Sequence, residues 1–289
     1  MKFLFKDIKL QLQPINTSVA YKHTIESEVI SNKKRAINSS EKILDINFIS
    51  EENRYLPQIN IKTKSHKVVL DSLLKKQEGM TLKMASLTDN IILNVDNKGT
   101  IREIANHSAI VQKWESLQQE LKQVYNGNIF ERYTLGIDKK IKDEAKLLKD
   151  FKQARLFGLL FDGLYDTPFS TLKKPVITRH KTIENNVGHI PIVVDESIFC
   201  NSFNENTQVL DLGLQGKLNT EHTYINKIEN YLVHQGVSKI SDFKLSAYEG
   251  MFKFNTNTGL LISSSLIIET TFGAHYKKRN KLEMNIISA

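Results

Sequence analysis

The chain has 289 residues, a length at which one large β-rich domain or two closely packed domains can form. Its 40% hydrophobic and 25% charged residues, with 13 glycines and 5 prolines, exclude a disordered or collagen-like chain. The formal charge of +8 favours acidic partners, although charge spread over a whole chain can also serve only to keep a protein soluble. Because the basic residues occur in short clusters without a basic tail, we do not expect nucleic acid to be the partner.

The first third of the chain shows the period of two that is typical of antiparallel strands with one wet face. Residues 8–12 and 19–26 alternate between apolar and polar side chains. A polar connection over 31–41 then leads to further alternation at 44–48 and 59–62. This part of the sequence predicts a meander of antiparallel strands.

Four segments show the spacing of amphipathic helices. They lie at residues 67–78, from Asn106 or Ser108 to 125, from 137 to about 165, and from 224 to 236. In the second segment, apolar residues around Trp114 recur at spacings of four and three, so we expect the Trp114 side to pack on the sheet. The stretch 156–161 is apolar nearly all round, which predicts either a core helix or a partner-binding segment.

Strands resume after the prolines at 168 and 175. They are predicted at 190–194, 198–199, 209–214, 239–254, 260–271 and 275–287. The turn at 255–259 is similar to the one at 96–99, which indicates two related halves. We therefore predict an α+β, mainly antiparallel fold with helices on the sheet, forming a single domain over 1–289. Its two halves would be 1–130 and 185–289, joined by a helical segment at 131–184.

The clearest local pattern is a hairpin at 90–105. Its turn lies within Asn94-Val95-Asp96-Asn97-Lys98-Gly99-Thr100-Ile101, where Asn and Gly tolerate the positive φ values that such a turn requires. A Trp-bearing helix follows, and two later segments, Gly250-Met251-Phe252-Lys253-Phe254 and Thr258-Gly259-Leu260-Leu261, form a second hairpin. This order of elements resembles that of large half-barrel proteins of the lipoprotein-carrier type and their uncharacterised relatives. The resemblance covers most of the chain without a diagnostic motif. It implies a strongly curved, half-barrel-like sheet around helices, and it identifies no functional residue.

The sequence has no phosphate loop, no nucleophile elbow, no zinc-protease motif and no dinucleotide fingerprint. The single cysteine, Cys200, cannot form an intramolecular disulfide, and its apolar surroundings predict a buried, inert thiol. No two of the eight histidines have the close spacing of metal ligands on one element. We therefore predict no enzyme activity, catalytic residue, cofactor or metal.

Two further features of the sequence concern titratable residues. Asp195 and Glu196 are adjacent on a predicted strand, so their side chains should point to opposite faces. His180 and His189 would meet these acids if the segment between them folded back, but we favour a surface loop with two solvated histidines.

Neither a signal peptide nor a membrane span is recognisable in the sequence. Residues 1–5 begin like a secretion signal, but Lys6 and Asp7 interrupt it. The most apolar stretch, 156–164, is shorter than the roughly 20 residues that a bilayer requires. We expect a cytoplasmic protein if the N-terminus is native. This departs from the carrier-like proteins, which are exported, and it argues against a role in lipid traffic.

Two functional hypotheses follow. The first is a non-catalytic interaction or assembly protein that presents a curved surface of sheet and helices to a protein partner, which the basic charge predicts to be acidic. The alternative is a carrier for an apolar small molecule, which requires an unfilled cavity lined by residues such as Phe48, Trp114 and Phe157. An enzyme of unrecognised type is the third and weakest alternative. The predicted partner or ligand contacts are Trp114, Leu156, Phe157, Leu160, Phe161, Tyr165 and Phe169.

Overall fold

The computed structural model describes residues 8–11, 18–49, 56–153, 155–160, 163–169, 175–237 and 242–288, without the side chains of Arg155, Phe157 and Ser288. The helices are α1 (Glu78–Ser86), α2 (His107–Val124), α3 (Asn128–Ile141), α4 (Glu144–Gln153), α5 (Arg155–Leu160) and α6 (Ile225–His234). The first seven strands are β1 (Ile8–Lys9), β2 (Ser18–Ser31), β3 (Lys34–Ile49), β4 (Gln58–Val69), β5 (Asn90–Val95), β6 (Ile101–Ile104) and β7 (Pro168–Phe169). The remaining strands are β8 (Pro175–Val187), β9 (Ile190–Asn204), β10 (Val209–Leu218), β11 (Phe243–Asn255), β12 (Leu261–Phe272) and β13 (Tyr276–Ser288).

Eleven of these strands form one antiparallel sheet in the order β6-β5-β4-β3-β2-β13-β12-β11-β10-β9-β8, and β1 pairs separately with β7. The last strand, β13, lies in the middle of the sheet because it pairs with β2 on one side and β12 on the other. The predicted α+β, mainly antiparallel class is confirmed. A single sheet runs through both of the halves that the sequence indicates.

The predicted strong, half-barrel-like curvature is not what the structure has. The sheet is neither closed nor strongly curled, and its edges are β6 and β8. Closing a barrel requires a hydrogen-bonded ladder between the two edge strands. With four residues, β6 is too short to provide a long ladder.

The predicted polar connection over 31–41 is wrong. Strands β2 and β3 continue through it as one long hairpin, with Ser31 opposite Lys34. Only Asn32 and Lys33 form the turn, and both have the positive φ that two-residue hairpin turns require. Polar residues occupy these strands because one face of the sheet is in contact with water.

The predicted helix over 67–78 is also wrong. Strand β4 extends to Val69, a 3-10 helix covers Ser72–Gln77, and α1 begins at Glu78. The apolar residues of this segment are divided between a strand and a 3-10 helix. Val68 and Val69 continue the ladder with β3. The Asp71 side chain then accepts a hydrogen bond from the backbone N–H of Leu73 and starts the 3-10 helix.

The predicted helix from 137 to about 165 is instead three shorter helices, α3, α4 and α5. The break between α3 and α4 is at Asp143, whose carboxylate accepts a hydrogen bond from the backbone N–H of Lys146 and so caps α4. By contrast, the hairpin at 90–105, the Trp114 helix, the helix before Gly236 and the last three strands are confirmed.

One face of the sheet carries the helices and the hydrophobic core. Buried side chains of α2, α4 and α5, among them Trp114, Phe151 and Leu159, belong to the same cluster as buried strand residues such as Ile46 and Leu212. On the opposite face of β2, the side chains of Lys22, Thr24 and Glu26 are at least partly exposed. Within the described residues, no helix is long and apolar enough to cross a membrane.

Candidate functional site

A groove with a volume of about 730 Å³ lies between helices α3 and α4 and the tip of the β8–β9 hairpin. We call it the lysine groove. Its lining residues are Lys140, Lys146, Lys149, Asp150, Gln153, Glu184 and Asn185. The groove forms because the hairpin tip stands beside the two helices, where Lys278 of β13 holds it by donating a hydrogen bond to the Asn185 carbonyl at 3.1 Å.

The lysines of the groove make only solvent-exposed ion pairs. Lys140 Nζ lies 2.5 Å from Asp150 Oδ2, Lys146 Nζ lies 2.7 Å from Asp143 Oδ2, and the lysine side chains are 57% and 62% exposed. A hydrogen bond from Lys146 holds the pKa of Asp143 below its usual range. Exposed pairs of this kind contribute at most about 1 kcal/mol, so a partner can displace them at little cost. Lys149 has no ion-pair partner in the part of the chain that the structure describes.

A small cavity of about 50 Å³ adjoins the groove and shares Gln153 and Glu184 with it. The cavity lies between α5 and the core face of the sheet. Its apolar lining consists of Leu159, Ile183, Leu214, Phe252, Leu266 and Ile268. This volume is comparable to one or two water molecules and far below the roughly 300–1,000 Å³ of a small-molecule pocket.

Glu196 lines this cavity and is the most buried carboxylate of the site, at 1% exposure. Its Oε1 accepts a hydrogen bond from Arg179 Nε at 2.6 Å, and its Oε2 accepts one from the Tyr248 hydroxyl at 2.6 Å. Both carboxylate oxygens are therefore engaged, so Glu196 is a structural anchor between β8, β9 and β11 and is not a free general base. The prediction that Asp195 and Glu196 point to opposite faces is confirmed, because Asp195 is exposed.

Gly216 explains how the Tyr248 ring reaches Glu196. A Cβ atom at position 216 would lie 2.5 Å from Tyr248 Cδ1 and 2.4 Å from Val194 Cγ1, closer than carbon atoms pack. The glycine therefore leaves the space that the tyrosine occupies. This cluster is not visible in the sequence because Arg179, Glu196, Gly216 and Tyr248 come from four different strands. Only the pairing register of those strands brings the four residues together.

The predicted contact residues lie mainly in the core. Trp114 is fully buried, and its Nε1 donates a hydrogen bond to Asp138 Oδ1 at 3.0 Å. The Tyr165 hydroxyl donates to the Gly259 carbonyl at 2.9 Å. Leu160 and Phe169 are also buried, Leu156 is half-buried, the Phe157 side chain is not described, and Phe161 lies outside the described residues. The structure does not place any of the described contact side chains in the lining of the lysine groove.

A second polar cluster lies on the core face of β2, β3 and β4, where His23 is opposite Lys42 and Lys42 is opposite His66. His66 Nε2 is 2.9 Å from Ser40 Oγ, but neither ring nitrogen of His23 has a hydrogen-bond partner in the described chain. Burial, together with the positive charge of Lys42, lowers the pKa of His23 to about 4. Sequence spacing could not reveal this cluster because its histidines are 43 positions apart.

Residues 181–187 belong to strand β8, so the interpretation of 181–188 as a surface loop is wrong, whereas His180 and His189 are both exposed as expected. Strand β8 continues to Val187 because its residues pair with β9. His180 lies directly opposite Asp195, whereas His189 is at the hairpin turn and packs against Tyr231 at a ring separation of 5.9 Å. Cys200 is buried as predicted, and burial raises the pKa of its thiol.

Among the described residues, no group of three or more His, Cys, Asp or Glu side chains is arranged to hold a metal ion. Comparison with protein-family models and with curated proteins found no match for this chain.

Proposed function

We propose that this protein is a non-catalytic interaction protein that binds an acidic segment of a partner protein in the lysine groove. The observation that carries the proposal is the contrast between the continuous hydrophobic cluster of the described residues and an open, lysine-lined groove. Three lysines line the groove against two carboxylates, while Lys278 and Lys181 stand beside it and Asp143 pairs with Lys146, so that five lysines face three carboxylates. This excess of positive charge is complementary to an acidic segment.

The architecture supports binding to a segment more than to a flat surface. The groove has one wall of helix and one wall of hairpin, so an extended chain can contact both. Lysines supply charge that steers an acidic partner to the groove, and the neighbouring Gln153 and Asn185 side chains supply hydrogen bonds that fix its position. The small adjoining cavity can accept no more than a methyl-sized group of that segment.

The carrier alternative has less support. A carrier needs an unfilled cavity near Phe48 and Trp114, but both side chains are buried within the continuous hydrophobic cluster. The cavity under α5 is about 50 Å³, too small for an apolar ligand. The likeness to half-barrel carriers therefore extends, in this proposal, to the order of elements alone.

The proposal is tested with a fluorescein-labelled peptide of alternating glutamate and glycine, followed by fluorescence anisotropy. The double variant Lys146→Glu/Lys149→Glu should weaken binding at least tenfold, because it reverses two charges of the groove. The matched control is Lys244→Glu/Lys253→Glu, which makes the same charge change on exposed positions of β11. Its affinity should stay within about twofold of the unchanged protein.

Each alternative result has a defined meaning. Equal weakening by both double variants would show that net charge alone attracts the peptide, and the groove proposal would be wrong. No measurable binding by the unchanged protein at low ionic strength would also overturn it. A lysine-glycine peptide of the same length is the second control and should not bind.

A further inference from the structure

A second group of side chains lies on the exposed side of the β8–β9 hairpin, away from the lysine groove. His180 Nδ1 is 2.6 Å from Asp195 Oδ1, and their side chains are 69% and 50% exposed. His222 Nδ1 is 3.0 Å from Asn219 Oδ1. The two imidazole rings face each other with centres 5.6 Å apart and planes inclined by 37°. Residues 42 positions apart in the sequence therefore form one pair of imidazoles.

The orientation of the Asn219 side chain is fixed by two other contacts. Its Nδ2 donates a hydrogen bond to Asp195 Oδ1 at 2.8 Å, and its Oδ1 accepts one from the backbone N–H of His222 at 2.9 Å. An amide oxygen only accepts hydrogen bonds, so His222 Nδ1 must carry the hydrogen that reaches it. Asp195, as a carboxylate, likewise requires hydrogen on His180 Nδ1.

Both rings are thus held in the same tautomer. With hydrogen on Nδ1, each neutral imidazole has its lone pair on Nε2. Histidines that bind metal ions usually donate their other ring N–H to a carboxylate or an amide oxygen, which orients the ring and raises its basicity. His180 with Asp195, and His222 with Asn219, both have this arrangement.

The loop that carries His222 is attached to the sheet. The Asn219 side chain is buried, and its backbone N–H donates to the Val193 carbonyl at 2.9 Å. Thr223 Oγ1 accepts a hydrogen bond from the Val193 N–H at 3.0 Å. His222 is therefore held between two fixed residues, in a position set by β9.

From this geometry we infer that His180 and His222 form a binding site for one divalent transition-metal ion, coordinated by the two Nε2 atoms. Two imidazoles that bind one Zn²⁺ at about 2.0–2.1 Å with a tetrahedral angle have ring centres about 5 Å apart. The observed separation of 5.6 Å is close to this value, and both side chains are exposed. Water would complete the coordination shell, and imidazole ligands select Zn²⁺, Cu²⁺ or Ni²⁺ over Mg²⁺ or Ca²⁺.

The site is tested by titrating Zn²⁺ into the full chain. Isothermal titration calorimetry measures the number of ions bound, and NMR of the histidine side-chain resonances identifies the ligands. One ion per chain is expected, with the resonances of His180 and His222 shifting together. Because chelation needs both rings, His180→Ala and His222→Ala should each weaken binding at least tenfold. His234→Ala, on the exposed side of α6, is the matched control and should leave the affinity unchanged.

Asp195→Asn provides a test that separates a built site from two unrelated surface histidines. It retains both imidazoles but removes the carboxylate that orients His180, and we expect about tenfold weaker zinc binding. Unchanged affinity in His180→Ala or in His222→Ala would overturn the proposal. So would equal loss in the His234 control, because that result describes independent surface histidines. Far-UV circular dichroism of each variant confirms that the sheet is intact.

Discussion

At the scale of single residues, His23 departs most from ordinary core chemistry. It lies on the core face of β2, surrounded by Met284 on one neighbouring strand and Lys42 on the other, and it is almost completely buried. A buried polar group without a hydrogen-bond partner costs about 1–3 kcal/mol. The sheet therefore tolerates a destabilising residue at its centre.

This residue makes the stability of the protein depend on pH. The pKa of His23 is about 4 in the folded protein and close to 6.5 in an unfolded chain. Between these values the unfolded chain binds a proton that the folded chain does not, so the free energy of unfolding falls as the pH falls from 6.5 towards 4. The loss should amount to about 2–3 kcal/mol.

Urea unfolding of His23→Leu at several pH values checks this prediction. The variant should be at least as stable as the unchanged protein at pH 7.5, and most of the pH dependence should disappear. A smaller dependence should remain because burial also lowers the pKa of His66, and because hydrogen bonds from lysines lower the pKa of carboxyls such as those of Asp138 and Asp143. His234→Leu is the control, and a His23→Leu protein with the full original pH dependence would contradict the assignment.

At the scale of elements, two glycines have opposite roles. Gly136 lies within α3 with no atom within 4 Å of an added Cβ, whereas Gly216 lies in β10 against Tyr248 and Val194. The same added methyl group therefore tests a free helix position and a closely packed strand position. In each case the surroundings, and not the residue type, determine the effect.

Gly136→Ala should stabilise the protein by about 0.5–1 kcal/mol, because alanine loses less backbone entropy than glycine when a helix forms. Gly216→Ala should destabilise it by about 1–3 kcal/mol, because the methyl group displaces the tyrosine that holds Glu196. Thermal unfolding of both variants measures the difference. Two changes of the same sign would show that Gly216 is not packed closely against Tyr248 and Val194.

At the scale of the whole molecule, the position of β13 determines how the chain is held together. Within the eleven-stranded sheet, the strands before the helical segment and those after it are joined by this last strand, which pairs with β2 and β12, and outside that sheet β1 pairs with β7. Leu282 and Met284 of β13 are fully buried on the core face. We therefore expect the sheet to unfold as one cooperative unit, although two related halves are still a prediction from the sequence.

Leu282→Ala tests this cooperativity, with an expected loss of about 2–5 kcal/mol because it leaves a cavity beneath the centre of the sheet. The fluorescence of Trp114, the only tryptophan, and far-UV circular dichroism should report the same shifted urea midpoint. Ile287→Ala, at a 53% exposed position of the same strand, is the control and should change stability little. A tryptophan transition that stays at its original midpoint while the dichroism shifts would indicate two independent halves.

Local features were predictable from the sequence alone. The turn at Asp96–Gly99, the Trp114 helix and the last three strands depend on contacts between residues close in sequence, such as the Asp96 carboxylate accepting from the Thr100 N–H. The alternation of side chains along a strand also predicted that Asp195 and Glu196 point to opposite faces of the sheet. Where local patterns compete, as at 67–78, tertiary pairing with β3 decided the outcome.

The placement of β13, the open sheet, the burial of His23 and the meeting of His180 with His222 were decided by the tertiary structure. Each depends on which segments become neighbours in space, and the periodicity of a strand shows which side chains share a face but not which strand lies beside it. The lysine groove arises in the same way, from helices and a hairpin that are separate in the sequence. Local physical chemistry determined the elements of this protein, and long-range packing determined the sites that they form.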